Sequence, residues 1–268
     1  MPVIRNTGEI LLLRMPRIIE KRLIGEFKDK NAFTREELFD FFKHFEPDLK
    51  ESTFGWRIYD LKNKNIIKPV RKGLYIISFK HEYQPEVSPD LLKIAKVLSE
   101  KFEETNCCIW ETGWLNEFSQ HQSGKRILIV EVEKPMEESV FYALRDALQF
   151  EIYLKPDEKV IGFYISESRT PAVVKKLITR SPVKSRSNGK ITYNTPRLEK
   201  ILVDLFSDEK LFYFYQGAEL AYIYENAIKN YALNYTKLFS YARRREKEQE
   251  IRQFMATHMN PLVKRILQ

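Results

Sequence analysis

Asn65-Ile66-Ile67-Lys68-Pro69-Val70-Arg71-Lys72-Gly73-Leu74-Tyr75-Ile76-Ile77 is the stretch on which the fold of the N-terminal part turns. Two short β-prone runs enclose a basic, glycine-containing turn, which is the pattern of a β-hairpin. Upstream of it, three segments have helical spacing. Ile18 to Phe27 distributes its apolar positions like a short amphipathic helix. Thr34-Arg35-Glu36-Glu37 has the T-x-x-E form of a capping box, in which a hydroxyl and a carboxylate satisfy orphan backbone groups at a helix start. Leu38, Phe41, Phe42 and Phe45 then recur on one helical face until Pro47 stops it. Ser52 or Glu51 can cap a third helix running to about Asn63, with Phe54, Ile58 and Leu61 on its buried side. Short helices followed by a hairpin have the layout of a winged helix-turn-helix, whose third helix enters the DNA major groove.

Residues 15–82 therefore read as a winged helix-turn-helix. Gln84-Pro85-Glu86-Val87-Ser88-Pro89 reads as a linker, because two prolines in a polar hexapeptide favour extended backbone. A second domain follows over 88–268. It opens with a helix from Leu91 to Phe102, and strands are expected at Cys107–Trp110, Arg126–Val132, Phe150–Leu154 and Val160–Ile165, with a helix over Glu137–Leu148. Ala172–Thr179 fits strand or helix equally. Ser181–Asn188 is polar and basic and reads as a loop. Thr195-Pro196 has the form of a helix start, Thr as N-cap and Pro in the first turn, and most of the chain from there onward, about 195–268, is helical in pattern. Its many aromatic residues read as helix-packing core with phenol groups reaching the surface, in preference to a base-stacking platform. The expected class is α+β: an N-terminal winged helix-turn-helix followed by an α/β domain with a helical C-terminal region.

Composition narrows the function. The chain has 268 residues, 43% of them hydrophobic and 31% charged, within the range of globular proteins. Ile10–Leu13 and Ile127–Val130, the longest aliphatic runs, are far too short to cross a bilayer. The N-terminus carries no export pattern, and adjacent Cys107 and Cys108 are poorly placed for a structural disulfide, so a reducing cytoplasm is expected. The net charge of +8 is unevenly spread: +6 over residues 1–80, −8 over 81–168, +8 over 169–200, −3 over 201–235 and +5 over 236–268. The first block coincides with a module that has a geometric reason to meet DNA. The basic block at 169–200 can bind RNA, cover the acidic region or contact a partner.

Four scattered histidines form no metal motif, and phosphate-binding glycine loops and G-x-S-x-G are missing. No cofactor or metal is expected, and an enzyme is not. The most tempting catalytic pattern is Ile127-Leu128-Ile129-Val130-Glu131-Val132-Glu133-Lys134, with two carboxylates on one side of a strand. Paired acids of this kind can hold divalent ions, so a metal-dependent nuclease or nucleotidyl transferase using Glu131 and Glu133 is the enzymatic alternative. The pattern lacks that chemistry's companions: Ser123-Gly124 is reversed from the usual turn, and Val132 stands where a nuclease motif has its acid before Lys134. The plainer reading is a strand whose polar end faces solvent. Arg243-Arg244-Arg245-Glu246-Lys247-Glu248 likewise reads as a solvated helix face, with Arg244 and Glu248 an i,i+4 pair.

In the third helix, a turn of about 100° per residue places Ser52, Trp56, Tyr59, Asp60 and Asn63 outward, with Thr53, Arg57 and Lys64 on one flank. Arg and Asn suit base edges and hydroxyls suit phosphates, while Lys68, Arg71 and Lys72 of the hairpin reach the backbone or minor groove. The expected DNA-binding set is Ser52, Thr53, Trp56, Arg57, Asn63, Lys64, Lys68, Arg71 and Lys72. The competing use of such a module is protein docking, with Trp56 and Tyr59 as anchors.

Two segments carry a family resemblance. Phe33-Thr34-Arg35-Glu36-Glu37-Leu38, with Ser52-Thr53, Tyr59-Asp60-Leu61, Ile66-Ile67 and Val70-Arg71-Lys72-Gly73-Leu74-Tyr75, resembles the winged helix of AbiEi-type antitoxins and related transcriptional regulators. Thr195-Pro196-Arg197-Leu198-Glu199-Lys200-Ile201-Leu202-Val203-Asp204-Leu205 is similar to the T-P-E-R-x-L-x-D-L segment of their C-terminal domain, although here the acidic residue follows Leu198 and does not directly follow the proline. The resemblance implies a bacterial, cytoplasmic regulator that binds double-stranded DNA in its own promoter. It also implies antagonism of a nucleotidyltransferase-like toxin encoded beside it, through the toxin or its RNA target.

Overall fold

The computed structural model describes residues 17–259 apart from 29, 31, 65, 78–81 and 123. The Ile10–Leu13 run, Asn65 of the hairpin, Ser123 and the residues after 259 lie outside them. The chain is α+β and divides into two compact units, one running to residue 81 and one from Glu82 onward, with Asn234–Thr236 grouped with the first.

In the first unit, helix α1 (Arg17–Phe27) is followed by a two-residue strand β1 (Phe33–Thr34), helices α2 (Arg35–Lys43) and α3 (Glu51–Asn63), and strands β2 (Ile67–Arg71) and β3 (Leu74–Ile77). The capping box forms: the Glu37 amide donates to Thr34 Oγ1 at 3.1 Å and the Thr34 amide donates to Glu37 Oε2 at 2.7 Å. Helix α3 starts differently from expectation, with Lys50 at the cap position and no side-chain bond from Glu51 or Ser52. The hairpin acquires a third strand, giving the order β1-β3-β2, all antiparallel. Gly73 turns the hairpin at φ +77°, a conformation only glycine adopts without strain, and its carbonyl accepts from the Arg35 amide at 2.8 Å. That bond ties the turn to the start of α2. Leu23, Phe27, Phe33, Leu38, Phe42, Phe54, Leu61 and Ile67 fill the core, with Phe27 and Phe33 rings 4.3 Å apart.

The second unit is built on a mixed sheet of order β4-β5-β7-β6. Helix α4 (Pro89–Lys101), capped by the Ser88 hydroxyl, leads into β4 (Cys107–Glu111), which runs antiparallel to β5 (Leu128–Val132). Helix α5 (Glu137–Ala147) crosses to β6 (Ile152–Leu154), and β7 (Ala172–Lys176) then inserts between β5 and β6, parallel to both. Every residue of β5 is buried, so both faces of this central strand are covered. Hairpin β8 (Val183–Asn188) and β9 (Ile191–Pro196) follows, then α6 (Leu198–Ser207), α7 (Ala218–Asn230), α8 (Tyr235–Arg244) and α9 (Glu248–His258).

Four local expectations are corrected. Val160–Ile165 is not a strand: Asp157 accepts from the Val160 amide at 2.8 Å and starts a helical turn, Glu158–Val160, that continues as a π-helical turn over Ile161–Ile165. Ser181–Asn188 is not a loop, since Val183–Asn188 pairs along its whole length with β9 around a Gly189 at φ +61°. Thr195-Pro196 does not open a helix, because the same ladder extends to a Val183–Pro196 pair and leaves Arg197 as the cap of α6. The basic run from Arg243 is not one helix face: α8 ends at Arg244, Glu246 takes φ +58°, and α9 begins at Glu248. Glu248 pairs with Arg243 at 2.6 Å and with Arg252, while Arg244 donates to Thr179. The aromatic C-terminal region is mainly core, with Phe212, Tyr215, Tyr224, Tyr235, Phe239 and Tyr241 buried.

Candidate functional site

Helix α3 and the β2–β3 turn hold the residues expected to meet DNA, and the structure sorts them into exposed and committed groups. Ser52, Trp56 and Asn63 lie exposed on α3, with Thr53 half-buried beside them. Trp56 and Tyr59 are 62% and 57% exposed and meet edge to face at 5.8 Å. Arg71 and Lys72 are exposed at the turn and Lys68 is half-buried.

The remaining two cations are already committed. Arg57 does not stand on the outer flank; it is 5% exposed and its Nη2 donates to Glu46 Oε1 at 2.9 Å. Glu46 belongs to the α2–α3 connection, so the flank on which a bare helix would expose Arg57 is the one that this connection covers. Lys64 reaches Glu20 at 2.5 Å and Asp60 at 2.6 Å. Partial burial would lower its pKa, but the bonds to Asp60 and Glu20 outweigh that and hold the ammonium above the usual lysine range. Arg35 is likewise bonded to Glu51 by a two-pronged contact of 2.5 and 3.2 Å. The outward face of α3 is therefore aromatic and polar, and the exposed positive charge of the expected set sits on the turn.

A second constellation lies inside the second unit, where the sequence reading did not place one. Glu131 on β5 does not face solvent as the polar end of a strand; it is fully buried. Its Oε2 accepts from Lys200 Nζ at 2.5 Å, and Oε1 stands 3.9 Å from the Nζ of Lys175, its partner across the parallel β5–β7 ladder. Lys200, on α6, is itself fully buried and also bonds Asp204 one turn further on. Tyr241 of α8 donates to Asp204 Oδ1 at 2.8 Å, and Arg245 stands 3.7 Å from it. Arg245 and Lys175 both bond Asp208. Three carboxylates thus face three cations in one connected group.

The electrostatics follow from enclosure. Burial pushes the Glu131 carboxyl up against the pull of Lys200 and Lys175. Burial lowers Lys200, yet Asp204 and Glu131 together outweigh it and hold the ammonium well above the lysine range. Asp208, desolvated but facing Lys175 and Arg245, is held below the usual carboxylate range.

Glu133 has a different environment. It sits past the end of β5, half-buried, and accepts from the Asn106 amide and side chain at 3.0 and 2.9 Å. Glu131 and Glu133 are not arranged as a metal-holding pair, since one is enclosed among ammonium groups and the other is bound to Asn106. Among the described residues no three His, Cys, Asp or Glu side chains converge as metal ligands. The basic 169–200 block is spent in part within its own unit: Lys175 and Lys200 on Glu131, Lys184 (3.0 Å) and Arg197 on Glu82. No helix among the described residues is long and apolar enough to cross a membrane.

A mixed α+β chain with a helix-and-hairpin unit and a sheet unit locked by buried charge is the class this architecture defines. The chain belongs to the DUF6577 family, a family of unknown function, whose family model matches residues 53–261. The match takes in most of α3, the hairpin and every member of the buried charge group. No curated protein matches the chain.

Proposed function

We propose that this protein is a DNA-binding transcriptional regulator whose N-terminal unit is a winged helix. The observation that carries the reading is the combination of an exposed α3 face bearing Ser52, Trp56, Tyr59 and Asn63 with Arg71 and Lys72 on the adjoining turn. Arg71 and Lys72 supply phosphate contacts, and Ser52, Thr53 and Asn63 reach base edges or backbone oxygens. Because Arg57 and Lys64 are neutralised, few phosphates are contacted and the salt slope is shallow. The resemblance to AbiEi-type antitoxins extends the proposal to repression of the protein's own promoter and antagonism of a toxin from the neighbouring gene.

Fluorescence anisotropy with the upstream duplex tests it. Binding at ~50 mM salt should weaken as salt rises, and Arg71→Ala with Lys72→Ala should weaken all sequences and reduce the slope by about 2. No binding at ~50 mM salt refutes the reading.

A second reading, protein docking through α3, is favoured by the Trp56–Tyr59 pair, which is large, exposed and aromatic like the anchors of many interfaces. It predicts no salt-sensitive duplex binding at all.

A further inference from the structure

Outside the carboxyl ends of the parallel strands β6 and β7 lies a cavity of about 810 Å³. Crevices at that end of an α/β sheet are where ligands of such folds are held, and the volume falls in the range of small-molecule sites, roughly 300–1,000 Å³. Lys155 follows the last residue of β6, Lys175 is the penultimate residue of β7, and Lys159, Lys210 and Lys247 bring the lysines lining the cavity to five. Ile161, Val173 and Leu211 give the cavity an apolar wall.

Three of the four carboxylates at the cavity have partners, and the fourth, Glu209, is exposed and adds to the negative field at Lys247. Asp157 caps the turn at Val160, Glu158 bonds Lys210 at 2.5 Å, and Asp208 is shared by Lys175 and Arg245. The lysines are not saturated. An ammonium carries three donors; Lys155 has one ion-pair partner, Glu137 at 3.0 Å, and Lys247 has Glu250 at 2.6 Å. Lys159 has no ion pair among the described residues. Two of the three described non-glycine residues with left-handed φ flank the site: Lys155 at +45° and Glu246, beside Lys247, at +58°. Such backbone costs energy and persists where the surroundings impose it.

The geometry points to a binding site for a phosphorylated small molecule with an apolar or aromatic body, of nucleotide size. Phosphate oxygens engage the spare donors of Lys155, Lys159 and Lys247 as point-charge contacts, and the body lies against Ile161, Val173 and Leu211. Side-chain ammonium groups here take the part that glycine-loop amides take elsewhere. The site is independent of the N-terminal unit.

Isothermal titration calorimetry of the full chain with ATP, AMP, adenosine and citrate tests this. Affinity should fall from ATP to AMP, and adenosine should give no heat. Lys159→Ala and Lys247→Ala should each weaken ATP about tenfold, a loss of ~1.4 kcal/mol. Lys159 is exposed and Lys247 half-buried, and unchanged circular dichroism would show that the variants are folded. Lys72→Ala, in the other unit, should leave ATP binding unchanged. The proposal is overturned if ATP and AMP give no heat, if citrate binds as tightly as ATP, or if Lys159→Glu with Lys247→Glu binds ATP like the parent.

Discussion

Replacing Lys200 by Met removes one ammonium group and little volume from the centre of the second unit. Lys200 is fully buried and bonds two carboxylates, Glu131 at 2.5 Å and Asp204. Taking away one partner of a buried ion pair costs about 3–5 kcal/mol because the other is left uncompensated. Lys175 at 3.9 Å from Glu131 and Arg245 at 3.7 Å from Asp204 remain, which puts the cost near the lower end. For a unit of this size, ~3 kcal/mol is a fall in Tm of about 6–12 °C.

The pH dependence has a definite sign. Burial already pushes the Glu131 carboxyl up, and Lys200 is the strongest of the groups that oppose it. Without Lys200 the folded-state pKa of Glu131 therefore stands further above its unfolded value. Stability is then present at low pH and lost as pH rises through the raised folded value, so the deficit should be full at pH 8 and shrink toward pH 5. Urea unfolding followed by tryptophan emission measures it, because Trp110 and Trp114 are buried in the same unit. Adding Glu131→Gln and Asp204→Asn should recover most of the loss, since neutralising Lys200 together with the two carboxylates it bonds is far cheaper than leaving them unpaired. A Lys200→Met variant within ~1 kcal/mol of the parent at pH 8, well short of the cost of an orphaned buried charge, would refute the reasoning.

Arg57→Ala should lower stability by about 1–3 kcal/mol, through loss of a buried group bonded to Glu46, and leave duplex affinity of the folded protein unchanged; a selective loss of affinity would put Arg57 back among the base-reading residues. Thr34→Ala should cost about 1 kcal/mol by removing the capping-box hydroxyl, read as an earlier urea midpoint of the first unit. Neither cysteine should react with a thiol reagent at pH 8 in the folded protein: burial and Glu133 push Cys107 up to about 12, burial pushes Cys108 well above the usual thiol range, and only the thiolate attacks. Both should react in urea, and release of thiol equivalents before unfolding would contradict the burial.

What is legible in the sequence is what neighbours along the chain decide. Thr34 and Glu37 are three residues apart and form the box their spacing announces; Leu38, Phe41 and Phe42 are buried as their period requires. Val160–Ile165 imitates a strand because its residues favour strands, while the Asp157 cap selects a helical turn and leaves Phe163 72% exposed. The β8–β9 hairpin has a signal, Gly189 at the first central position of its two-residue turn Gly189-Lys190, hidden by the polar, half-exposed residues around it. The buried charge group has none. Glu131 and Lys200 are separated by 69 residues, and no local pattern tells a carboxylate on an apolar strand that its counter-ion will arrive on a helix several elements later. The i,i+4 spacing of Lys200 and Asp204 inside a largely apolar helix is the nearest hint.

Glu131 and Lys175 stand opposite each other in the parallel ladder, and this placement constrains assembly as well as stability. Strands that are apolar on both faces can slide by a residue at little hydrophobic cost; here β5 runs Leu-Ile-Val-Glu-Val and β7 Ala-Val-Val-Lys-Lys. A slip that brought Val174 opposite Glu131 would turn Lys175 to the other face and leave the carboxylate to Lys200 alone, whereas the opposite slip would put Lys176 in the place of Lys175. The charge pair therefore acts as a key that excludes a slip in one direction, since only a lysine can stand opposite Glu131. Exchanging the two residues together, Glu131→Lys with Lys175→Glu, would preserve that key only if Lys200 and Asp204 were exchanged as well.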